Sequence, residues 1–299
     1  MSNLTHYPDR AAWLRARRSG IGGSDAPAIL GCARYGKSPM SVWASKVLPP
    51  EEDADSYTLA RGRHMEGFIA RRLREEAGLR SVDGVGEFAI VTSAEDACLI
   101  YSPDAFAATE DGTLVLCEFK SRIFNAKEWE ESVPDDVVAQ AQHGMDVCDL
   151  PACYVACDTG SELRWTRLER DPKWATEVRP RLIAWWKEYV VTETPPPPTA
   201  DDADVLARLY PRQAKGVTIA LPGEMLAARD ELNEAEAIKS ACETKIAEIK
   251  NRVRAAMGEA ETGVLPDGTG WTWKTQQRKA YTVEAGESRV LRAFKAKEK

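Results

Sequence analysis

The run from Thr113 to Ser121, Thr-Leu-Val-Leu-Cys-Glu-Phe-Lys-Ser, limits what this chain can fold into more than any other segment. Its residues favour strand, and strand alternation sends Val115, Cys117 and Phe119 to one face and Leu116, Glu118 and Lys120 to the other. A carboxylate and an ammonium thus stand side by side at the end of an apolar strand, where burial is costly unless each has a partner or a task. A weak exposed ion pair on a surface hairpin is the plainer alternative.

Upstream, Tyr101-Ser102-Pro103-Asp104-Ala105-Phe106 leads into Glu110-Asp111-Gly112, a hairpin-turn signal. A three-residue loop centred on Asp111 sets Asp104 opposite Glu118; a two-residue Asp111-Gly112 loop opposes Ala105 instead and turns Asp104 away. The first register is the expectation. Two facing carboxylates repel unless a proton or cation lies between them, and oxygen ligands of this kind suit Mg²⁺ or Mn²⁺. A divalent ion lowers the pKa of a bound water and clamps a scissile phosphate, while a nearby lysine orients the water and offsets charge on the phosphorane oxygens. Asp104, Glu118 and Lys120 together therefore point to phosphodiester hydrolysis.

Three further segments carry polar groups at telling places. Glu66 lies on the margin of a helical stripe formed by Met65, Phe68, Ile69 and Leu73. In a helix opening near Pro134, the buried stripe is Val137, Val138, Ala141, Met145 and Cys148. Gln140 and Gln142 flank that stripe on opposite sides, so only one reaches a site beside it, and periodicity does not choose between them. Gly20, Gly22 and Gly23, preceded by Arg17 and Arg18, lead into a short helix for which Ser24 or Asp25 is the expected cap, a loop of the kind that receives phosphate.

Ser102-Pro103-Asp104 followed by Glu118-Phe119-Lys120 resembles the PD-(D/E)XK nuclease motif, and the surroundings resemble the YqaJ and phage lambda exonuclease branch of it. Arg18 to Asp25 is similar to that family's N-terminal block, Gly62-Arg63-His64-Met65-Glu66 to its acidic helix, and Ala139-Gln140-Ala141-Gln142 to its glutamine helix. The blocks keep the family's order over roughly residues 15–190. The resemblance implies an α/β, restriction-endonuclease-like fold, a mixed sheet flanked by helices. It implies a Mg²⁺-dependent (or Mn²⁺-dependent) exonuclease of the phage recombination type. Such an enzyme resects one strand of linear duplex DNA from the 5′ end and leaves a 3′ single strand for an annealing protein. Two metal ions per site would be held by Asp104, Glu118 and the Phe119 carbonyl, with Glu66, Lys120 and Gln140 in catalytic support and Arg18 and Ser24 at the 5′-phosphate. Many relatives are ring trimers around DNA, which makes a homo-oligomer the expectation here. An endonuclease or single-strand nuclease of the same fold, or a non-catalytic module binding DNA or a partner, are the alternatives.

Thr194-Pro195-Pro196-Pro197-Pro198 breaks the composition, a stretch too stiff and too poor in backbone donors for a sheet or helix interior. We expect a nuclease core over 1–194, a proline-rich linker over 195–215 and an extension over 216–299. The extension reads as a long helix from about Gly223 to Met257 and a strand pair around Pro266-Asp267-Gly268. In the helix, Met225, Ala228, Leu232, Ala235, Lys239, Cys242, Ile246, Ile249, Val253 and Ala256 fall at alternating spacings of three and four, a coiled-coil seam weakened by Lys239 and alanines. We read it as an amphipathic helix folding back on a neighbour. The basic end, Arg278, Lys279, Arg289, Arg292, Lys295, Lys297 and Lys299, reads as a solvated tail.

A length of 299 residues exceeds one ordinary domain, and 43% hydrophobic with 29% charged residues fits a globular protein. The net charge of −7 argues against a broad basic DNA-coating surface, but cations confined to one channel remain compatible with it. No apolar run is long enough to span a membrane, and the N-terminus lacks the apolar stretch of a signal peptide, so the expectation is a cytoplasmic protein with no membrane partner, and the resemblance implies a phage or prophage one. Seven cysteines without tight pairing suit a reducing compartment. Cys148, Cys153 and Cys157 with distant Cys32 are badly spaced for an iron–sulfur cluster, and His6, His64 and His143 are too scattered for zinc. Gly31 to Ser38 satisfies a P-loop pattern, but it follows a helix rather than a strand, and Pro39 comes next.

Overall fold

The computed structural model describes residues 3–50, 56–123 and 126–277. The basic tail from Arg278 to Lys299 lies outside them. Two compact units are present, Met1–Tyr210 and Pro211–Lys299.

The first unit runs β1 (Asn3–His6), α1 (Arg10–Arg17), α2 (Ala26–Leu30), α3 (Pro39–Val47), α4 (Tyr57–Glu76), β2 (Ser81–Gly84), β3 (Ala89–Thr92), β4 (Ile100–Tyr101), β5 (Ala105–Ala108) and β6 (Leu114–Ser121). It continues through α5 (Asp135–Cys148), β7 (Ala152–Asp158), β8 (Leu163–Glu169), α6 (Arg179–Trp185) and α7 (Ala203–Leu209). The helices begin where side chains satisfy their open N–H groups: Asp9 accepts from Ala12 N at 2.7 Å to start α1, and Ser38 accepts from Ser41 N at 2.9 Å to start α3 behind Pro39. Gly31, at φ 78°, ends α2. The P-loop-like stretch is therefore a helix stop followed by a helix cap. Asp25 is the N-cap residue of α2, but its side chain accepts from no N–H of that helix; the carboxylate turns back to accept from Gly22 N at 2.9 Å.

The main sheet has the order β2-β5-β6-β7-β8, parallel between β6 and β7 and antiparallel elsewhere. This is a mixed α/β architecture, with helices on both faces. The alternation along β6 explains why. Leu116 joins Cys153, Val155 and Cys157 of β7 under Val137, Ala141 and Met145 of α5. Val115, Cys117 and Phe119 join Tyr154 and Ala156 under Ile69 and Leu73 of α4. Phe68 stands outside the α4 stripe assigned to it, 43% exposed. A smaller sheet, β1-β3-β4, is tied to the glycine loop by a bridge between Ile21 and Leu99. All seven cysteines are free thiols, and burial pushes Cys148 up to about 12 and, with Asp104 and Glu118, does the same to Cys117.

The proline-rich segment is shorter as a linker than the sequence suggested. Asp202 is fully buried and accepts from Thr199 N at 2.5 Å and from the Ser38 hydroxyl, and Val205 packs into the α5-side core with Leu206 and Leu209. Residues 199–209 thus belong to the first unit. The second unit contains α8 (Met225–Met257) and the antiparallel hairpin β9 (Thr262–Val264) and β10 (Gly270–Thr272). Among the described residues, no helix is long and apolar enough to cross a membrane.

Candidate active site

The β5–β6 register decides whether the two carboxylates meet. Ala105 pairs with Cys117 and Ala108 with Leu114, and Thr109 N donates to Thr113 O at 3.0 Å, leaving a three-residue loop centred on Asp111. Continued one step past Ala105, that register sets Asp104 against Glu118. The Asp104 carboxylate accepts from Phe119 N at 2.6 Å, which fixes it at the open end of β6.

Glu118 is 2% exposed, and all of its carboxylate is engaged. Lys120 Nζ donates to Glu118 Oε1 at 2.5 Å, Gln140 Nε2 donates to the same oxygen at 2.7 Å, and the Tyr101 hydroxyl donates to Oε2. Lys120 Nζ also donates to Gln140 Oε1 at 3.0 Å, closing a ring of three side chains. Gln140, carried on α5, is the glutamine that reaches the site. Gln142 braces the fold instead, donating to Glu169 O at 2.8 Å and accepting from Asp171 N at 2.9 Å.

The electrostatics follow from this crowding. Burial, then the neighbouring Glu118, hold the Asp104 carboxyl well above the usual carboxylate range. Burial works against the charge of Lys120, but Glu118 and Asp104 outweigh it and raise its pKa. Glu66 is pushed up to about 7 by burial, then by Glu87 and Glu118. Burial, then Glu118, hold the Tyr101 phenol well above its usual value, so it stays protonated and donates.

The cleft around these groups has a volume of about 380 Å³ and is lined by segments far apart in sequence. Arg17, Gly23 and Ser24 enter from the glycine loop, Arg63 and Glu66 from α4, Tyr101 to Asp104 before β5, Glu118 to Lys120 from β6, and Gln140 from α5. Gly23 is required here, because a Cβ would lie 2.5 Å from Tyr101 Cε2.

Arg17, not Arg18, lines this cleft. Its guanidinium stacks 4.6 Å over the Trp13 ring and donates to Ser24 Oγ at 3.4 Å. Arg18 is committed elsewhere, donating to the Lys46 and Leu48 carbonyls at 2.8 and 2.6 Å, so it braces the end of α3 and corrects the expected assignment. The stacking partner was the missing signal: Trp13 precedes Arg17 by one helical turn on α1, a spacing that puts both on one face.

Among the described residues no three acidic, histidine or cysteine side chains close on one point. What β5 and β6 bring together is two carboxylates beside the Phe119 backbone. That set is hard, oxygen-based and more negative than its buried surroundings tolerate, as the raised Asp104 shows. It fits Mg²⁺, which typically takes one or two carboxylates and completes its shell with water and substrate phosphate.

A mixed sheet whose β5 and β6 bring an acidic pair and a lysine into one cleft defines this unit as an α/β domain with a carboxylate–lysine site. Residues 12–152 match the family described as YqaJ-like viral recombinase domain. The uncharacterized protein YqaJ of Bacillus subtilis (strain 168) is 26% identical over 266 residues, spanning 86% of this chain and 81% of that protein. The crystal structure of an alkaline exonuclease (LHK-Exo) from Laribacter hongkongensis gives a TM-score of 0.49 at 18% identity, covering 66% of this chain and 96% of that one. A phage related exonuclease from Haemophilus somnus 129PT gives 0.44 at 12% identity, covering 58% of this chain and 95% of that one.

Proposed function

We propose that this chain is a Mg²⁺-dependent deoxyribonuclease, an exonuclease that resects one strand of linear duplex DNA from its 5′ end and leaves a 3′ strand for an annealing protein. The observation that carries the reading is the meeting of Asp104, Glu118, Lys120 and Gln140 in one cleft that also receives Arg17, Ser24 and Glu66. Asp104, Glu118 and the Phe119 carbonyl would hold the metal, which supplies a water of lowered pKa and a clamp on the scissile phosphate.

The chain's own residues do the rest. Lys120, oriented by Glu118 and Gln140, presents its ammonium to the water and to charge developing on the phosphate. Arg17, held over Trp13 beside Ser24, is preorganised for a 5′-phosphate. Glu66 approaches from the α4 side and helps to place water. Duplex ends are the substrate, a homo-oligomer is the working form, and the host cytoplasm is the place of action.

The test is digestion of linear 5′-phosphorylated duplex against a covalently closed circle, with Mg²⁺ or EDTA, for wild type and Lys120→Ala. Consumption of linear DNA only, with metal only and by wild type only, is the expected outcome. Cutting of the circle makes the enzyme an endonuclease, and no cutting by wild type overturns the nuclease reading.

A further inference from the structure

The 33 residues of α8 span about 50 Å at 1.5 Å per residue, and none of its side chains is buried. Its seam nevertheless runs from Met225 to Ala256, more than four heptads, beyond the three or four that mark a coiled coil. One set of seam positions is Met225, Leu232, Lys239, Ile246 and Val253; the other is Ala228, Ala235, Cys242, Ile249 and Ala256. Leu232 and Ile246 are each 50% exposed, so the seam is open along its length. At its C-terminal end, Ile249, Val253 and Ala256 open onto an apolar cavity of about 560 Å³ that the hairpin extends with Val264, Leu265 and Trp271.

The charges choose the occupant. Residues 224–243 carry Glu224, Asp230, Glu231, Glu234, Glu236 and Glu243 against Arg229 and Lys239. Residues 244–257 carry Lys245, Lys250, Arg252 and Arg254 against Glu248. The helix macrodipole favours this polarity only within the terminal turns, so it leaves the mid-helix charges at positions 231, 236 and 250 unaccounted for, whereas Lys245 pairs with Glu248 of its own helix at 3.7 Å. A second copy laid antiparallel accounts for them.

We propose that α8 pairs with α8 of a second copy of this chain, antiparallel and in the register that sets Leu232 against Ile249. In that register Ile246 faces Ala235, Val253 faces Ala228 and Met225 faces Ala256, so three of the five distinct pairings set a large residue against alanine, while Leu232 meets Ile249 and Lys239 meets Cys242. Met225 and Leu232 of one copy enter the apolar cavity beside the other copy's hairpin. Flanking the seam, Glu231 faces Arg252 and Glu236 faces Lys250, each pair occurring twice. The parallel arrangement sets Glu231 against Glu236 and Lys245 against Lys250, and stacks alanine on alanine at positions 228, 235 and 256, leaving the contact thin there. This pairing does not depend on the nuclease reading.

Sedimentation of the full chain at low salt tests the proposal. Glu231→Lys is expected to weaken self-association about tenfold by turning two attractive pairs repulsive, and Glu231→Lys with Arg252→Glu to restore it. A parallel pair responds oppositely, since Glu231→Lys removes its repulsion. Orientation is read directly in a Cys242→Ser background. Chains with Leu232→Cys mixed with chains carrying Ile249→Cys are expected to form an interchain disulfide on oxidation that neither forms alone. Association unchanged or strengthened by Glu231→Lys, a disulfide from Leu232→Cys chains alone, or none in the mixture overturns the antiparallel pairing.

Discussion

The Tyr101 hydroxyl gives its one proton to a Glu118 oxygen that neither Lys120 nor Gln140 reaches. Without it, a buried carboxylate oxygen loses the one donor it has among the described residues, and hydrogen bonds to charged groups contribute about 1.5–3 kcal/mol. Tyr101→Phe should therefore lower kcat by about tenfold to a hundredfold while KM for DNA changes little, because the ring that lines the cleft is kept. Steady-state digestion of linear duplex checks this, and a loss confined to KM would contradict it. Asp25 supports the same region from outside the reacting groups. Burial raises its pKa, but Lys46, 2.7 Å away, and Arg17 outweigh burial and hold it at about 2 against an ordinary 3.8. A folded pKa below the unfolded one contributes stability that is present above pH 3.8 and is lost as the pH falls toward 2. The shift corresponds to about 2 kcal/mol. Asp25→Asn should accordingly lower the melting temperature at pH 7 about twice as much as at pH 3, which calorimetry at the two values measures. At this scale the sequence displayed Asp104, Glu118 and Lys120 because strand alternation and turn length are local. It misplaced Arg18, because which of two adjacent arginines faces a cleft depends on the carbonyls of Lys46 and Leu48, about thirty residues away.

Helix α5 sets how closely the glutamine approaches the sheet. Gly144 lies where α5 meets β4 and β6, and a Cβ there would stand 2.5 Å from Tyr101 Cζ and 2.7 Å from Leu116 Cδ2, both in fully buried side chains. Two effects oppose each other in Gly144→Ala. Alanine favours helix over glycine by about 1 kcal/mol, whereas forcing a methyl into a packed interior costs about 1–3 kcal/mol. The neighbours here are an aromatic ring held by a hydrogen bond and a core leucine, neither able to swing away, so overpacking wins. The variant should unfold at lower urea than wild type, and the displaced Tyr101 should lower activity with it. A helical glycine reads from sequence as a mere weakness, since the close neighbour that requires it lies on another element. The elements themselves were legible where they have local stops: Gly31 ends α2, and Glu110-Asp111-Gly112 turns β5 into β6.

At the scale of the whole chain, four prolines look like a boundary, and the real division comes after Tyr210. The difference is physical. The stiff segment after Thr194 returns α7 to the core, where Val205 is 7% exposed and Leu206 and Leu209 pack beside it, and where Asp202 satisfies Thr199 and the Ser38 hydroxyl that caps α3. Composition showed the stiffness but not its destination, because α7 is only seven residues long. Two truncations separate these views. A chain ending at Thr194 loses the α7 burial, at about 1.5–3 kcal/mol for each fully buried aliphatic side chain, and leaves the α3 cap without its acceptor. It should lose at least about 3 kcal/mol of stability against denaturant, with a broadened or shifted transition in the first unit. A chain ending at Tyr210 keeps every one of those contacts, so it should unfold where the first unit of the full chain unfolds and keep the digestion of linear DNA, while losing the self-association assigned to α8. Equal stability of the two truncations would show that α7 contributes nothing to the core and would return the boundary to the prolines.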